Sequence, residues 1–142
     1  YNCTINLFLD RRVQKIKIHI DRWDAWSMDH TLAPIILPML KQLKETKHGA
    51  PWVAVADVPK ELRPTKKQLM DYQKDGTTDP KFFERWNWVL DEMIYAFDCK
   101  ANKDDVYMRF DIKTQREAMD AEQERISNGF RLFGRYYENL WD

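Results

Sequence analysis

The fold is decided by residues 79–97, which read DPKFFERWNWVLDEMIYAF. Asp79 and Pro80 are typical of a helix N-cap and first turn, because an aspartate accepts bonds from free N–H groups and proline has none to satisfy. Downstream, apolar residues recur every three or four positions, which is the period of one helix face. The stretch therefore predicts a long core helix whose buried side carries Phe82, Trp86, Val89, Leu90, Met93 and Phe97.

An earlier helix is predicted to begin near residues 24–27 and to end before Gly49. Pro34 and Pro38 interrupt its pattern, and an interior proline costs about 3 kcal/mol, so a kink or a break is expected there. One face of this helix carries Leu32, Ile36, Met39 and Leu43.

A third helix is predicted from near Thr114 to the C-terminus. Gly129 and Gly134 lie inside it, and each costs roughly 1 kcal/mol relative to alanine, which suggests that another backbone packs closely there. The apolar face of this helix carries Met119, Ile126, Phe130, Phe133, Tyr137 and Leu140.

The connection between the first two helices, residues 49–78, is far longer than the usual 4–6 residues or so. We expect it to be ordered, with the ring of Trp52 as an anchor and a short helix over residues 65–74 closed by Gly76.

Two short segments alternate between apolar and polar residues, as half-buried strands do: residues 15–20, KIKIHI, and residues 106–112, VYMRFDI. Their pairing would give a small antiparallel sheet. The predicted class is therefore α+β and mainly α-helical, with three principal helices, a two-stranded antiparallel sheet and a long ordered loop.

Composition indicates one folded domain over residues 1–142, because 142 residues with 44% hydrophobic types can bury a sizeable core. The 23 basic residues balance the 23 acidic ones, so no net field attracts nucleic acid or anionic lipid. The longest apolar run, residues 32–40, is less than half of the ~20 residues that span a bilayer, so no membrane partner is expected.

Sequence motifs for catalysis are missing. The chain has no glycine-rich phosphate loop, no Gly-x-Ser-x-Gly, no Cys-x-x-Cys and no His-Glu-x-x-His. An enzyme is therefore the less favoured class.

A carboxylate-rich metal site is one alternative. Asp29 and Glu122 extend the apolar stripes of two helices, so they could converge with His30 and with Asp91 or Glu92. Helix capping and ordinary ion pairs explain the same residues and are favoured. No cofactor is expected, and the metal candidates are Asp29, His30, Glu92 and Glu122.

A nucleic-acid-binding stripe is the second alternative. Its basic residues are Lys41, Lys44, Lys47, Lys66 and Lys67. Acidic residues interrupt the stripe and the aromatic residues fall at core spacing, so an ordinary solvated surface is favoured.

The second helix carries more aromatic residues than one core-facing stripe needs. Trp88 and Phe97 lie on nearly opposite sides of it, so this helix should have a second covered side. Either the long connection of the same chain or a partner chain could cover that side. Tryptophan and tyrosine are enriched in interface hot spots. We therefore predict that at least one of Trp88, Tyr95 and Trp141 contacts another chain or lies on an exposed apolar patch.

Four blocks carry a resemblance: residues 18–32, IHIDRWDAWSMDHTL; 37–51, LPMLKQLKETKHGAP; 83–94, FERWNWVLDEMI; and 125–137, RISNGFRLFGRYY. In this order they resemble uncharacterised proteins encoded by environmental, especially marine, bacteriophages. The resemblance covers roughly half of the chain and implies no activity. Similar proteins have more sequence before the first strand, which makes residues 1–14 a candidate remnant of a longer upstream region.

Together these observations favour a non-enzymatic phage accessory or virion-associated protein that acts through protein contacts. Its expected partner is another protein or a second copy, and its expected location is the host cytoplasm or the virion. The alternatives are the metal-dependent helical enzyme and the nucleic-acid-binding accessory protein.

Overall fold

A computed structural model describes residues 17–142 with their side chains, and residues 4–10 and 13–16 by their backbone alone. Five helices dominate: α1 (Met28–Thr46), α2 (Lys66–Asp75), α3 (Phe82–Asn102), α4 (Val106–Arg109) and α5 (Arg116–Arg135). Short 3₁₀ turns lie at Arg22–Ala25, Val55–Asp57, Lys60–Leu62 and Tyr137–Asn139. Residues 1–14, the candidate remnant of a longer upstream region, lie outside the residues whose side chains are described.

The predicted α+β class is wrong, because the sheet it required is not seen. Val106–Arg109, expected as a strand, forms α4, so it offers no edge to residues 16–20. The strand β2 (Val13–His19) instead pairs antiparallel with its neighbour β1 (Thr4–Asp10). Ile18 and Ile20 are exposed, so the alternation in this segment does not reflect burial against the helices. The described part of the chain is mainly helical.

The helix α3 is the centre of the fold, as the sequence predicted. It packs against α1 on one side and α5 on the other. Its buried residues include all six that the periodicity assigned to the core, and Trp86, Val89, Leu90 and Met93 are fully buried. Because α3 is covered on two sides, most of its extra apolar side chains pack against other parts of the same chain.

The helices α3 and α5 approach most closely at Gly129. A Cβ atom there would lie 2.5 Å from Cβ of Ala96 and would also meet the carbonyl oxygen of Glu92. The close backbone packing predicted at Gly129 is therefore present. At Gly134 it is not, since a Cβ atom would meet nothing within 4 Å.

The helix α1 is continuous from Met28 to Thr46, so of the kink or break expected at its prolines the break does not occur. Both Pro34 and Pro38 are exposed, and the carbonyl groups that lose an amide donor lie on the same side of the helix. Water can satisfy those groups, which explains why the helix tolerates both residues.

The long connection is ordered by packing and by its own helix. Thr65 and Gln68 form a capping box at the start of α2, and Gly76 closes that helix with φ of 76°. Trp52 stacks on Tyr72 with ring centroids 4.3 Å apart and lies 6.3 Å from Phe82. The predicted anchor thus joins the loop to α2 and α3.

A buried carboxylate fastens the same connection to α5. Asp57 accepts a 2.7 Å hydrogen bond from the hydroxyl of Tyr136 and pairs with Arg131 and Arg135 at 2.9 and 2.7 Å. Burial alone would raise the pKa of Asp57, but the hydrogen bonds from Tyr136 and Arg131 outweigh it and the pKa is lowered. The loop is therefore held by charge as well as by apolar contacts.

None of the helices in the described part of the chain has both the length and the apolar character needed to cross a membrane.

Candidate protein-binding groove

The helix α1 has two apolar faces, of which only one enters the core. Ala33, Leu37 and Leu40 are buried against α3. At about 100° per residue, the predicted face of Leu32, Ile36, Met39 and Leu43 lies next to this buried one. Leu32 and Met39 on it are exposed, and Met39 keeps 60% of its surface accessible. Ile36 and Leu43 are partly buried against the core, so the face that the sequence suggested for the core is half core and half surface.

The segment after α5 folds back against the C-terminal end of α1. The backbone N–H of His48 donates a 2.6 Å hydrogen bond to Asp142, and the ring Nδ1 of His48 lies 3.0 Å from the same carboxylate oxygen. These two bonds, the backbone one first, lower the pKa of Asp142. The ring of Trp141 packs over Gly49, where a Cβ atom would come within 3.2 Å of it.

An open groove with a volume of about 840 Å³ lies between the outer face of α1 and the C-terminal segment. One wall is the outer face of α1, and the other is formed by the last turn of α5 and the segment beyond it. The groove is defined by its apolar lining residues, which are Leu32, Ile36, Met39, Leu40, Leu43, Phe133, Tyr137, Leu140 and Trp141. Among the residues whose side chains are described, Asp142 is the only charged one in its lining.

Exposure along the groove is concentrated in large side chains. Tyr137 and Trp141 keep 64% and 52% of their surfaces accessible. A soluble domain seldom exposes contiguous apolar side chains of this size, and such patches commonly mark interaction sites. The arrangement can bind apolar side chains, whereas it offers no set of polar groups for chemistry.

The three predicted partner-binding residues lie in different environments. Trp88 is half-buried and packs against the core cluster, and Tyr95 is half-buried with its hydroxyl bonded to Glu122 at 2.6 Å. Trp141 lies in the groove. The structure therefore brings Trp141 together with Tyr137 and Met39 and places the other two elsewhere.

The predicted metal ligands are not brought together. Asp29 pairs with Lys100 at 2.8 Å, and that bond, as its largest cause, lowers the pKa of Asp29. Glu92 receives two hydrogen bonds from Arg125, at 3.0 and 2.8 Å. His30 is exposed and lies 4.0 Å from Asp29. Within the described residues, no group of three or more His, Cys, Asp or Glu side chains could hold a metal ion.

Glu122 forms a polar cluster between α3, α4 and α5. It accepts hydrogen bonds from the hydroxyl of Tyr95 and from Arg109, at 2.6 and 2.9 Å. These bonds, the one from Tyr95 first, lower the pKa of Glu122 despite its partial burial. The bond to Glu122, followed by burial, raises the pKa of Tyr95 to about 12. The guanidinium of Arg125 lies 3.6 Å from the centroid of the Tyr95 ring. The cluster is internally neutralised and joins three helices.

The predicted basic stripe is partly neutralised. Lys44 forms a 2.5 Å ion pair with Asp91, and Lys47 donates a hydrogen bond to the carbonyl of Lys44. Burial lowers the pKa of Lys47. Lys41, Lys66 and Lys67 are exposed. Lys66 and Lys67 lie on α2, whereas Lys41 and Lys44 lie on α1 and Lys47 is its C-cap.

Sequence reasoning missed two exposed aromatic residues. Trp23 and Trp26 form an edge-to-face pair with ring centroids 4.3 Å apart, just before α1, and Trp26 keeps 76% of its surface accessible. The guanidinium of Arg22 lies 3.9 Å from the centroid of the Trp23 ring. Trp23 lies in a 3₁₀ turn and Trp26 at its end. Neither belongs to a helical period in the sequence, and this was the sign that no helix face would bury them.

Comparison with known proteins yields no family model, no characterised relative and no solved structure that matches this chain. The functional argument therefore depends on the geometry of the groove and its surroundings.

Proposed function

We propose that the protein is a non-enzymatic accessory protein that acts by binding another polypeptide chain through the groove. The single observation that carries the proposal is the groove itself, an open apolar cleft of about 840 Å³ beside exposed Tyr137 and Trp141. Its occupant is a protein surface that presents apolar side chains, since the lining offers little for a polar or charged ligand to bind.

The shape of the groove supports a polypeptide occupant. The α1 residues that line it run from Leu32 to Leu43, a rise of about 16 Å along the helix. Apolar side chains spaced along a helix or an extended segment can enter a cleft of this length at several points. Methionine and tyrosine suit such contacts, because methionine adapts its shape and tyrosine combines a large ring with a polar tip.

The resemblance of four sequence blocks to marine bacteriophage proteins suggests the setting. We propose a phage accessory or virion-associated role, in which the groove contacts a component of the particle or of the host cell.

The proposal is tested by placing a photo-reactive amino acid at position 39, in the groove, during production of the protein in its native setting. The matched control places it at position 70, because Met70 is also exposed, at 67%, but lies on α2 away from the groove. We expect position 39 to cross-link to one defined protein, a second copy of this chain being one such outcome, and position 70 to cross-link to none.

Reconstitution with the purified cross-linked partner completes the test. Met39→Glu should abolish binding, because a carboxylate would lose its hydration in an apolar cleft, whereas Met70→Glu should bind as the wild type does. Equal cross-linking at both positions, or binding that Met39→Glu leaves unchanged, would contradict the proposal.

A further inference from the structure

The pair Trp23 and Trp26, which we call the knob, is the most exposed aromatic feature near α1 and has no cover among the described residues. Trp23 keeps 48% and Trp26 keeps 76% of its surface accessible, although the two rings contact each other. A chain that carries both an exposed apolar knob and an open apolar groove has two complementary surfaces of its own.

We propose that the groove is occupied by the knob of a second copy of this chain, and that the two copies exchange their knobs in a symmetric dimer. The inference rests on the proposed function, because it identifies the polypeptide that the groove binds. A twofold axis makes each contact occur twice.

The positions of the two surfaces along α1 suit this exchange. The knob lies just before the N-terminal end of α1, while Trp141 lies beside Gly49, just past its C-terminal end. A twofold axis perpendicular to α1 near Ile36 makes the two α1 helices antiparallel. Each knob then faces the opposite end of the partner's α1, where the groove is formed by Tyr137 and Trp141.

The outer face of α1 permits such an apposition because it carries no charge. At about 100° per residue, Met28, Leu32 and Met39 share one side of the helix. The charged residues of α1 lie on the rest of its circumference, and Asp29 and Lys44 among them are paired with residues of α3. Antiparallel α1 helices would therefore meet without like-charge repulsion.

The area of the two surfaces favours a reciprocal contact over a single one. The exposed parts of the knob amount to roughly 300 Å², and those of the large groove side chains to roughly 400 Å². A stable interface buries about 800 Å² on each partner. One knob in one groove falls well short of this area, whereas two reciprocal contacts approach it.

The first test measures the mass of the purified chain in solution over a range of concentrations. The variants are Trp26→Ala in the knob, Met39→Glu in the groove and Met70→Glu as the control. All three positions are exposed, and circular dichroism confirms that each variant is folded. We expect the wild type and Met70→Glu to be dimers. Trp26→Ala and Met39→Glu should raise the dissociation constant of the dimer at least about thirtyfold.

Mixing the two defective variants identifies the contact. Trp26→Ala keeps an intact groove and Met39→Glu keeps an intact knob, so the mixture should form heterodimers held by one knob–groove contact. Their dissociation constant should lie between those of the wild type and of either variant alone. A wild-type monomer at all concentrations, or a mixture that associates no better than its components, would overturn the inference.

A photo-reactive residue at position 26 gives a readout independent of variant stability. With isotopically labelled and unlabelled chains mixed, cross-links should join the two kinds of chain and map to residues 133–142. Cross-links that map elsewhere would also overturn the inference. A monomeric wild type whose position 39 still cross-links to a different protein would refute the exchange of knobs and leave the proposed function standing, whereas absence of both would refute the two together.

Discussion

At the scale of single residues, two glycines of α5 have opposite surroundings and form a matched pair. Gly129 faces the backbone of α3, while Gly134 faces open space. Gly129→Ala should destabilise the protein by about 1–3 kcal/mol, because its methyl group would overlap Ala96 and the Glu92 carbonyl. Gly134→Ala should stabilise it by about 0.5–1 kcal/mol, since alanine favours the helix. Urea unfolding of both variants measures the difference, and equal effects would contradict the close packing at Gly129.

The buried carboxylate of Asp57 makes stability depend on pH. Its pKa is lowered in the folded protein from an ordinary value of 3.8, so the folded state binds its proton less tightly than the unfolded state does. The resulting stabilisation is fully present above the unfolded value and is lost as the pH falls through the folded value. We expect the free energy of unfolding to decrease as the pH falls below about 4, and Asp57→Asn to make that decrease shallower.

The same variant has a cost at neutral pH. Asp57→Asn keeps an acceptor for Tyr136 but loses the charge that holds Arg131 and Arg135, so unfolding at pH 7 should become easier by about 1–3 kcal/mol. The control is Asp120→Asn, at an exposed and distant ion pair with Arg116, which should change stability by less than about 0.5 kcal/mol. A pH profile of Asp57→Asn that parallels the wild type would refute the role assigned to this carboxylate.

At the scale of secondary-structure elements, the connection between α1 and α2 depends on Trp52. Trp52→Ala removes the stacking on Tyr72, so limited proteolysis should cut residues 49–65 faster than in the wild type. The control Tyr107→Ala removes an exposed aromatic ring from α4, away from this segment and from the groove, so cleavage of residues 49–65 should be unchanged in it. Equal cleavage rates in the wild type and in Trp52→Ala would show that other contacts suffice.

The positions of the three long helices could be predicted from the sequence, except that α5 ends at Arg135 rather than at the C-terminus. The role of each helix face could not be predicted. The period of residues 79–97 predicted α3, although the helix begins at Phe82 with Lys81 rather than Asp79 at its N-cap. Gly76 predicted the end of α2. In α1, two adjacent sets of apolar residues have the same period, and the sequence does not indicate which set another helix covers. Alternation in residues 106–112 was misleading because the segment is a four-residue helix, α4, followed by one extended residue, Phe110, and the start of a turn. Elements this short do not need a period.

At the scale of the whole molecule, α3 explains why one core could be predicted. It contacts both α1 and α5, so the residues on its two sides are buried whichever path the connecting segments take. The groove could not be predicted in the same way. It depends on the path of the chain after α5, which the bonds between His48 and Asp142 fix across 94 positions of sequence. Such long-range contacts leave no periodic signal in either segment.

The hydrogen bond between Asp57 and Tyr136 also affects the synthesis of the protein. The two residues are 79 positions apart, so a ribosome that adds about 5–20 residues per second needs roughly 4–16 s to pass from one to the other. During that interval the segment that carries Asp57 has been made, but its carboxylate cannot form these bonds because Arg131, Arg135 and Tyr136 have not yet been synthesised. The segment that carries Asp57 must therefore remain exposed to chaperones and proteases until α5 has emerged, and this part of the domain can close only after that point.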